Sequence, residues 1–300
     1  MDRTSTLLWG LLLSLGAVTA PSATRLMASP QGAPAQAPQR ATLKPAAATA
    51  PNIPFEAYDF QTEEQLLALA NQSRRQAGAP PLKIDEGLSR AARIHAQAMR
   101  EARRLSHQFD GEPALPQRLA ATTQLQLEQE GENVALDYDA EHGHEHLMLS
   151  PPHRANLLNP AYNVVGLGVV RNGDRLYIVQ DFGLALPKYS PAEVKEHIAA
   201  AVNQTRRQNR RPQLQRRDWL GADDAACSMA QADKLGTAPV LKLAESFNLL
   251  TYTSLHPERL PGGAVRAVTG RNLRSYSVGT CYGRTQTYPT GTYWVVLSLE

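Results

Sequence analysis

The sequence predicts an α+β fold, and three observations carry that prediction. Segments of helical period come first, two β-branched apolar stretches around a tight turn follow, and the same order returns in shortened form after residue 190. The 300 residues, 42% hydrophobic and 20% charged, suffice for one or two globular domains. A net charge of +3 is too small to call for a nucleic-acid partner, and no basic run is interleaved with aromatics.

The chain opens "MDRTSTLLWGLLLSLGAVTA". Arg3 precedes an apolar run from Leu7 to Ala20, too short for a comfortable bilayer span and ending in small residues. Residues 1–20 read as a secretory signal, with an uncleaved anchor as the alternative. The expected destination is secreted, periplasmic or cell-envelope, with no integral membrane segment after cleavage. Residues 21–54, rich in Ala, Pro and Gln, bury too little apolar area to offset ordering entropy and read as a disordered linker.

Order is expected from Phe55. "FQTEEQLLALANQSRRQAG" is a helix, with Thr62 and Gln65 at capping-box spacing, Leu66, Leu69 and Ala70 on one face, and Gly78 to end it. Asp85 caps a second helix from Glu86 to Arg103, whose apolar face runs Leu88, Ala92, His95, Met99, Ala102. His95 reads there as a satisfied core histidine. "LSHQFDGEPALPQRL" is a loop carrying His107, and residues 118–130 are helical or irregular. A helix over 140–149 is broken by "SPPH", which starts another, with Ser150 as its cap. "VVGLGVV" and "RLYIVQDFG" are strands, and Asn172-Gly173 between them signals a hairpin.

The second half repeats this. "NQSRRQAGAPPLKIDEGL" at 71–88 matches "NQTRRQNRRPQLQRRDWL" at 203–220; "AARIHAQA" at 91–98 matches "AACSMAQA" at 225–232. "YNVVGLGVV" is echoed by "YSVGTCYGR", and "LYIVQDF" by "YWVVLSL". Residues 190–300 therefore read as a degenerate copy of 55–187 that kept the scaffold and lost the intervening loops. The arginines of 206–217 read as a solvated face of the copied opening helix. Cys227 and Cys281 lie on the copied helix and strand. Their even count in an oxidising compartment favours a disulfide, with two buried free thiols as the alternative.

Three polar residues stand at turns or helix breaks of the first half: His107, Glu132 and His153. Two neutral imidazoles can hold a divalent ion such as zinc, and a carboxylate can be a ligand, orient a water or act as a base. Spacing alone does not unite them. "EHGHEHLML" is not the metalloprotease pattern, and His142 and His146 read as a polar stripe. Gln180 and Asp181 read either as groups behind the site or as ordinary strand-end polar residues.

"LSH", "GENVA", "SPPHRANLLNPAYNVVGLGVV" and "LYIVQDFG", in that order behind "NQSRRQAGAPPL", resemble the CAP superfamily, also called SCP/PR-1-like or the cysteine-rich secretory protein family, in its bacterial YkwD-like branch. The resemblance covers about residues 60–185. It implies a three-layer α-β-α sandwich with a cleft lined by His107, Glu132 and His153, the histidines holding a divalent cation. Larger eukaryotic members add a second carboxylate where this chain has Ser150, and a tryptophan where it has Leu147, so three cleft residues are expected here. The second copy lacks all three. With no serine or cysteine nucleophile beside them, the expected function is binding of a metal, a small lipid-like molecule or an extracellular protein by a monomer, without catalysis. A metal-dependent protease or esterase is the alternative.

Overall fold

The computed structural model describes residues 58–300 apart from 220 and 246. The expected signal segment 1–20 and linker 21–54 lie outside the described residues. The first half runs α1 Phe60–Gln76, β1 Lys83–Ile84, α2 Glu86–Ala102, α3 Leu115–Thr122, β2 Gln126–Asp137, α4 Ala140–Leu149, α5 Pro151–Leu158, β3 Val164–Asn172 and β4 Arg175–Leu186. Its sheet has the order β1-β3-β4-β2, with β1 parallel to β3 and the other pairs antiparallel.

The two-residue alternation of the strands sorts their side chains into two layers. Val165, Leu167, Val169, Ile178 and Phe182 pack with Leu66 and Ala70 of α1, Leu147 of α4 and Leu157 of α5. The opposite face, Val134, Val170, Tyr177 and Val179, packs on Ala92, Ala96 and Met99 of α2. This is the expected three-layer α-β-α sandwich. Two glycines let α2 lie directly on β3: a Cβ at Gly166 would fall 2.1 Å from the Leu88 backbone, and one at Gly168 2.3 Å from the Ala92 backbone.

Several local readings shift. The α1 N-cap is Asp59, which accepts from Thr62 N, so the start precedes the Thr62 box by three residues. Ser150 occupies the α5 N-cap without a side-chain bond, and the first two helical positions, Pro151 and Pro152, have no N–H to offer it. The hairpin loop is Gly173-Asp174, one residue later than Asn172-Gly173, because Asn172 still pairs with Arg175. Residues 126–137 form one strand, which takes in 126–130 of the stretch read as helical or irregular and runs on through 131–137. Charged residues on its open edge hide the alternation there.

The second half runs α6 Pro191–Gln208, β5 Gln215–Arg216, α7 Ala222–Ala232, α8 Ala238–Ala244, β6 Asn248–Ser254, α9 Gly262–Val268, β7 Ser275–Gly283 and β8 Thr292–Leu299. Its sheet order, β5-β7-β8-β6, and strand directions repeat those of the first sheet. Gly279 takes the place of Gly168, a Cβ there falling 2.2 Å from Ala222 of α7. The register sets Tyr276 opposite Leu299 as Val165 is set opposite Phe182, three residues from the Tyr162 that its sequence echo suggests. Cys227 on α7 and Cys281 on β7 form a disulfide with Cα atoms 5.0 Å apart. Arg206 departs from the solvated-face reading: it is fully buried, and it donates to Pro212 O (2.5 Å) and Val268 O (2.5 Å), as the buried Arg74 donates to Pro80 O (2.7 Å) and Leu157 O (2.9 Å).

The halves meet at the start of the edge strand β2. Thr290 Oγ1 accepts from Leu127 N and donates to Leu127 O, both at 3.2 Å, and Arg284 donates to Thr123 O at 2.9 Å. A bulge between Leu127 and Gln129 frees Glu128, whose Oε1 lies 2.9 Å from His256 Nε2.

Candidate functional site

The site is built across β2. Glu132 and Asn133, adjacent in "GENVA", point to opposite faces of the strand. Glu132 pairs across the sheet with Asp181, and Asn133 with Gln180. Glu132 therefore turns toward α2 and the loop after it, while Asn133 turns toward α5.

On the α2 side, His107 Nδ1 donates to Glu132 Oε1 at 2.8 Å, and Arg118 Nη2 donates to Glu132 Oε2. Glu132 is buried, whereas the His107 side chain is 59% exposed, so a fixed carboxylate holds the inner nitrogen of a ring whose Nε2 is left over. Arg118 Nη1 also donates to His107 O (3.2 Å) and Glu112 Oε1 (3.0 Å), fixing the loop that carries His107. His95 Nε2 donates to Ser106 O (2.8 Å), and its Nδ1 lies 2.6 Å from Glu112 Oε1 and 2.7 Å from Arg118 Nη1. His95 is buried, as expected of a core histidine, but its bonds all go to the frame of the site. Burial would raise the Glu112 carboxyl; hydrogen bonds from Phe109 N, His95 and Arg118 outweigh it and hold the pKa below the usual range.

Asp181 is fully buried beside Glu132. Burial first, and then the adjacent Glu132 charge, push its carboxyl well above the usual carboxylate range. Its Oδ1 has no partner among the described residues. The second carboxyl group of the site thus comes from β4, not from the Ser150 position.

On the α5 side, Asn133 Nδ2 donates to His153 O (3.1 Å), and Asn156 Nδ2 donates to Glu132 O (3.1 Å) and Asn133 Oδ1 (3.0 Å). These bonds stitch the first turn of α5 to β2 and bring His153 to His107, ring centroids 6.4 Å apart and planes inclined by 33°. Burial, and then the nearby His107, lower the His153 pKa, which keeps this imidazole neutral and its lone pair available at neutral pH.

All three expected residues are therefore brought together. The donor set fits an open two-nitrogen site for a divalent cation, since two imidazoles face each other. It does not fit a closed site: both Glu132 oxygens are engaged, and among the described residues no group of three or more His, Cys, Asp or Glu side chains could hold a metal ion. Sequence reasoning missed Glu112, Arg118, Asn133 and Asn156, and left Asp181 undecided. Asn133 and Asn156 sit inside the quoted motifs, which was the available signal; Arg118 had none. The "EHGHEHLML" histidines do not converge. His142 pairs with Asp139 (2.9 Å), His146 with Asp137 (2.6 Å), and the buried His144 with Ser73 (2.8 Å).

The matching register positions of the second sheet are apolar or small. Leu249 and Leu250 stand for Glu132 and Asn133, Leu297 and Ser298 for Gln180 and Asp181, and, with Ala222 in the place of Ala92, Ala225 for His95. Leu249 and Met229 pack there in a cluster with Trp294 and Val296.

Residues 67–182 match the model of the cysteine-rich secretory protein family, CAP. The chain is similar to Uncharacterized protein YkwD of Bacillus subtilis (strain 168), 32% identical over 112 residues, 37% of this chain and 43% of that protein. It is also similar to Uncharacterized membrane protein YlbC of the same organism, 34% identical over 122 residues, 40% of this chain and 34% of that protein. The matches span less than half the length of either relative. An extracellular protein containing a SCP domain from Bacillus anthracis str. Ames is 26% identical, covering 42% of this chain and 41% of that one with a TM-score of 0.38.

Proposed function

We propose, on the premise that residues 67–182 are a CAP domain, that this domain works outside the cytoplasm as a binding protein whose cleft takes a divalent cation such as zinc between His107 and His153 and catalyses nothing itself. The observation that carries this reading is the state of Glu132. One oxygen holds His107 Nδ1 and the other receives Arg118, so the carboxylate is fixed by two donors and placed to orient the His107 ring. A bound cation would supply positive charge and open coordination positions to a small molecule or a partner protein. An extracytoplasmic location is supported by the disulfide.

In the same proposal, residues 190–300 are a degenerate second copy without this chemistry. The repeated sheet order, the matched roles of Arg74 and Arg206, and the apolar replacement of Glu132 by Leu249 support it.

Titration calorimetry with zinc tests the reading. Binding at low micromolar level, lost in His107→Ala and in His153→Ala, is expected; no binding by the wild type sinks it. Metal-dependent hydrolysis is the second reading, and the buried Asp181 beside Glu132, its carboxyl pushed above the usual range by burial and by that neighbour, is what favours it. A protease and esterase screen with and without chelator decides: chelator-sensitive turnover that falls in Asp181→Asn would replace the binding reading.

A further inference from the structure

The second half carries two stretches without a carboxylate, residues 197–217 and 259–299, and each holds several arginines. They are far apart in sequence, and the fold joins them. The buried Arg206 guanidinium donates to Pro212 O on one stretch and to Val268 O and Gly270 O (3.3 Å) on the other. Gln215 N donates to Arg274 O at 2.9 Å, and Arg211 N to Arg206 O at 2.9 Å. Arg207, Arg210, Arg271 and Arg274 are exposed beside this seam, and Arg211 is half-buried. None of the five forms an ion pair with a described residue; the carboxylate at the rim, Glu300, lies 3.8 Å from Arg217 and accepts from Ser275 Oγ.

We propose that this face, formed by Arg207, Arg210, Arg211, Arg271 and Arg274, docks on an anionic phospholipid surface. The arrangement does not serve the fold. Arg211 Nε is shut off from solvent with no acceptor, and after burial itself the Arg211 charge lowers the Arg206 pKa, so like charges crowd without compensation. The matching residues of the first half are Gly78 and Ala79 where the second has Arg210 and Arg211, so the scaffold does not require the charges. Guanidinium forks match phosphate oxygens in pairs. Residues 206–217 and 266–274 contain no aromatic side chain on which nucleobases would stack. Attraction of each arginine to an anionic leaflet multiplies about fivefold per residue, so five of them hold a protein that one would not.

Vesicle sedimentation of the full chain tests this, with phosphatidylcholine vesicles and with vesicles containing about one-third phosphatidylglycerol, at an ionic strength of about 0.1 M. Partitioning at least about tenfold stronger onto the anionic vesicles is expected, lost at about 0.5 M salt and reduced more than about tenfold in R210E/R271E/R274E. The salt arm separates charge-driven docking from insertion of the apolar Leu7–Ala20 segment. A thermal melt checks the variant's fold; should it fail to fold, Arg210→Gln and Arg271→Gln singly are each expected to lose about fivefold. Equal binding to both vesicle types, or arginine variants that bind as wild type, overturns the proposal. So does tighter binding to soluble polyphosphate than to vesicles at equal phosphate, which would make the partner a polyanionic chain.

Discussion

Replacing Arg74 by methionine keeps an apolar stem and deletes the bonds that tie α1 to the segment behind the site. The guanidinium donates to Pro80 O at 2.7 Å and to Leu157 O, Asn159 O and Tyr162 O at 2.9 Å each. The bonds to Leu157 O and Tyr162 O are fully buried, so water cannot replace them; the other two are partly open. Two stranded buried acceptors cost about 1–3 kcal/mol each. Removing a cation whose burial lowers its pKa returns part of that. The net expectation is a loss of about 3–4 kcal/mol of stability, measured as the urea midpoint at constant slope. Arg74→Lys, with one point charge for several carbonyls, should recover less than half. Arg206→Met is the internal comparison and should cost a similar amount. A loss below about 1 kcal/mol in Arg74→Met would refute the reasoning, because the buried carbonyls would then have other partners.

Further outcomes are expected. Glu132→Gln, tested by zinc titration, should weaken binding by about tenfold to a hundredfold; unchanged affinity would mean that Glu132 does not orient His107, and abolition would make it a ligand. His256 is held above its usual pKa chiefly by its hydrogen bond to Glu128, against the effect of burial and with help from Glu258. Because the folded-state pKa is the higher one, this contact stabilises fully below about pH 6.5 and is lost as pH rises through the folded value; His256→Ala should flatten the melting temperature over that window. Reducing the Cys227–Cys281 disulfide, which closes a separation of 54 residues, should cost about 4 kcal/mol in the chain-entropy picture, read by denaturation with and without reductant.

Helical period in α1 and α2, the Asn172-Gly173 turn signal and the paired arginine motifs are local patterns, and local patterns survive in a single sequence. They predicted an α+β fold and placed the two cysteines on a helix and a strand, while the three-layer sandwich followed from the family resemblance. Recognition of "LSH", "GENVA" and "SPPH" together was enough to nominate His107, Glu132 and His153. The β2 strand was not legible, because its edge position lets charged residues stand where an inner strand would alternate.

What only the tertiary structure decided is which groups touch. Arg118 and Glu112 carry no signature of their own; they matter because α3 and the preceding loop fold over Glu132. Asp181 is an ordinary aspartate in sequence, and its raised pKa comes from being buried opposite another carboxyl on the neighbouring strand. The arginines at 206–217 looked like one solvated face, yet Arg206 is buried and draws residues 268–271 against its own loop. Sequence periodicity records what each segment does with its own neighbours, whereas desolvation and charge depend on distances between segments, which exist only once the chain has closed on itself.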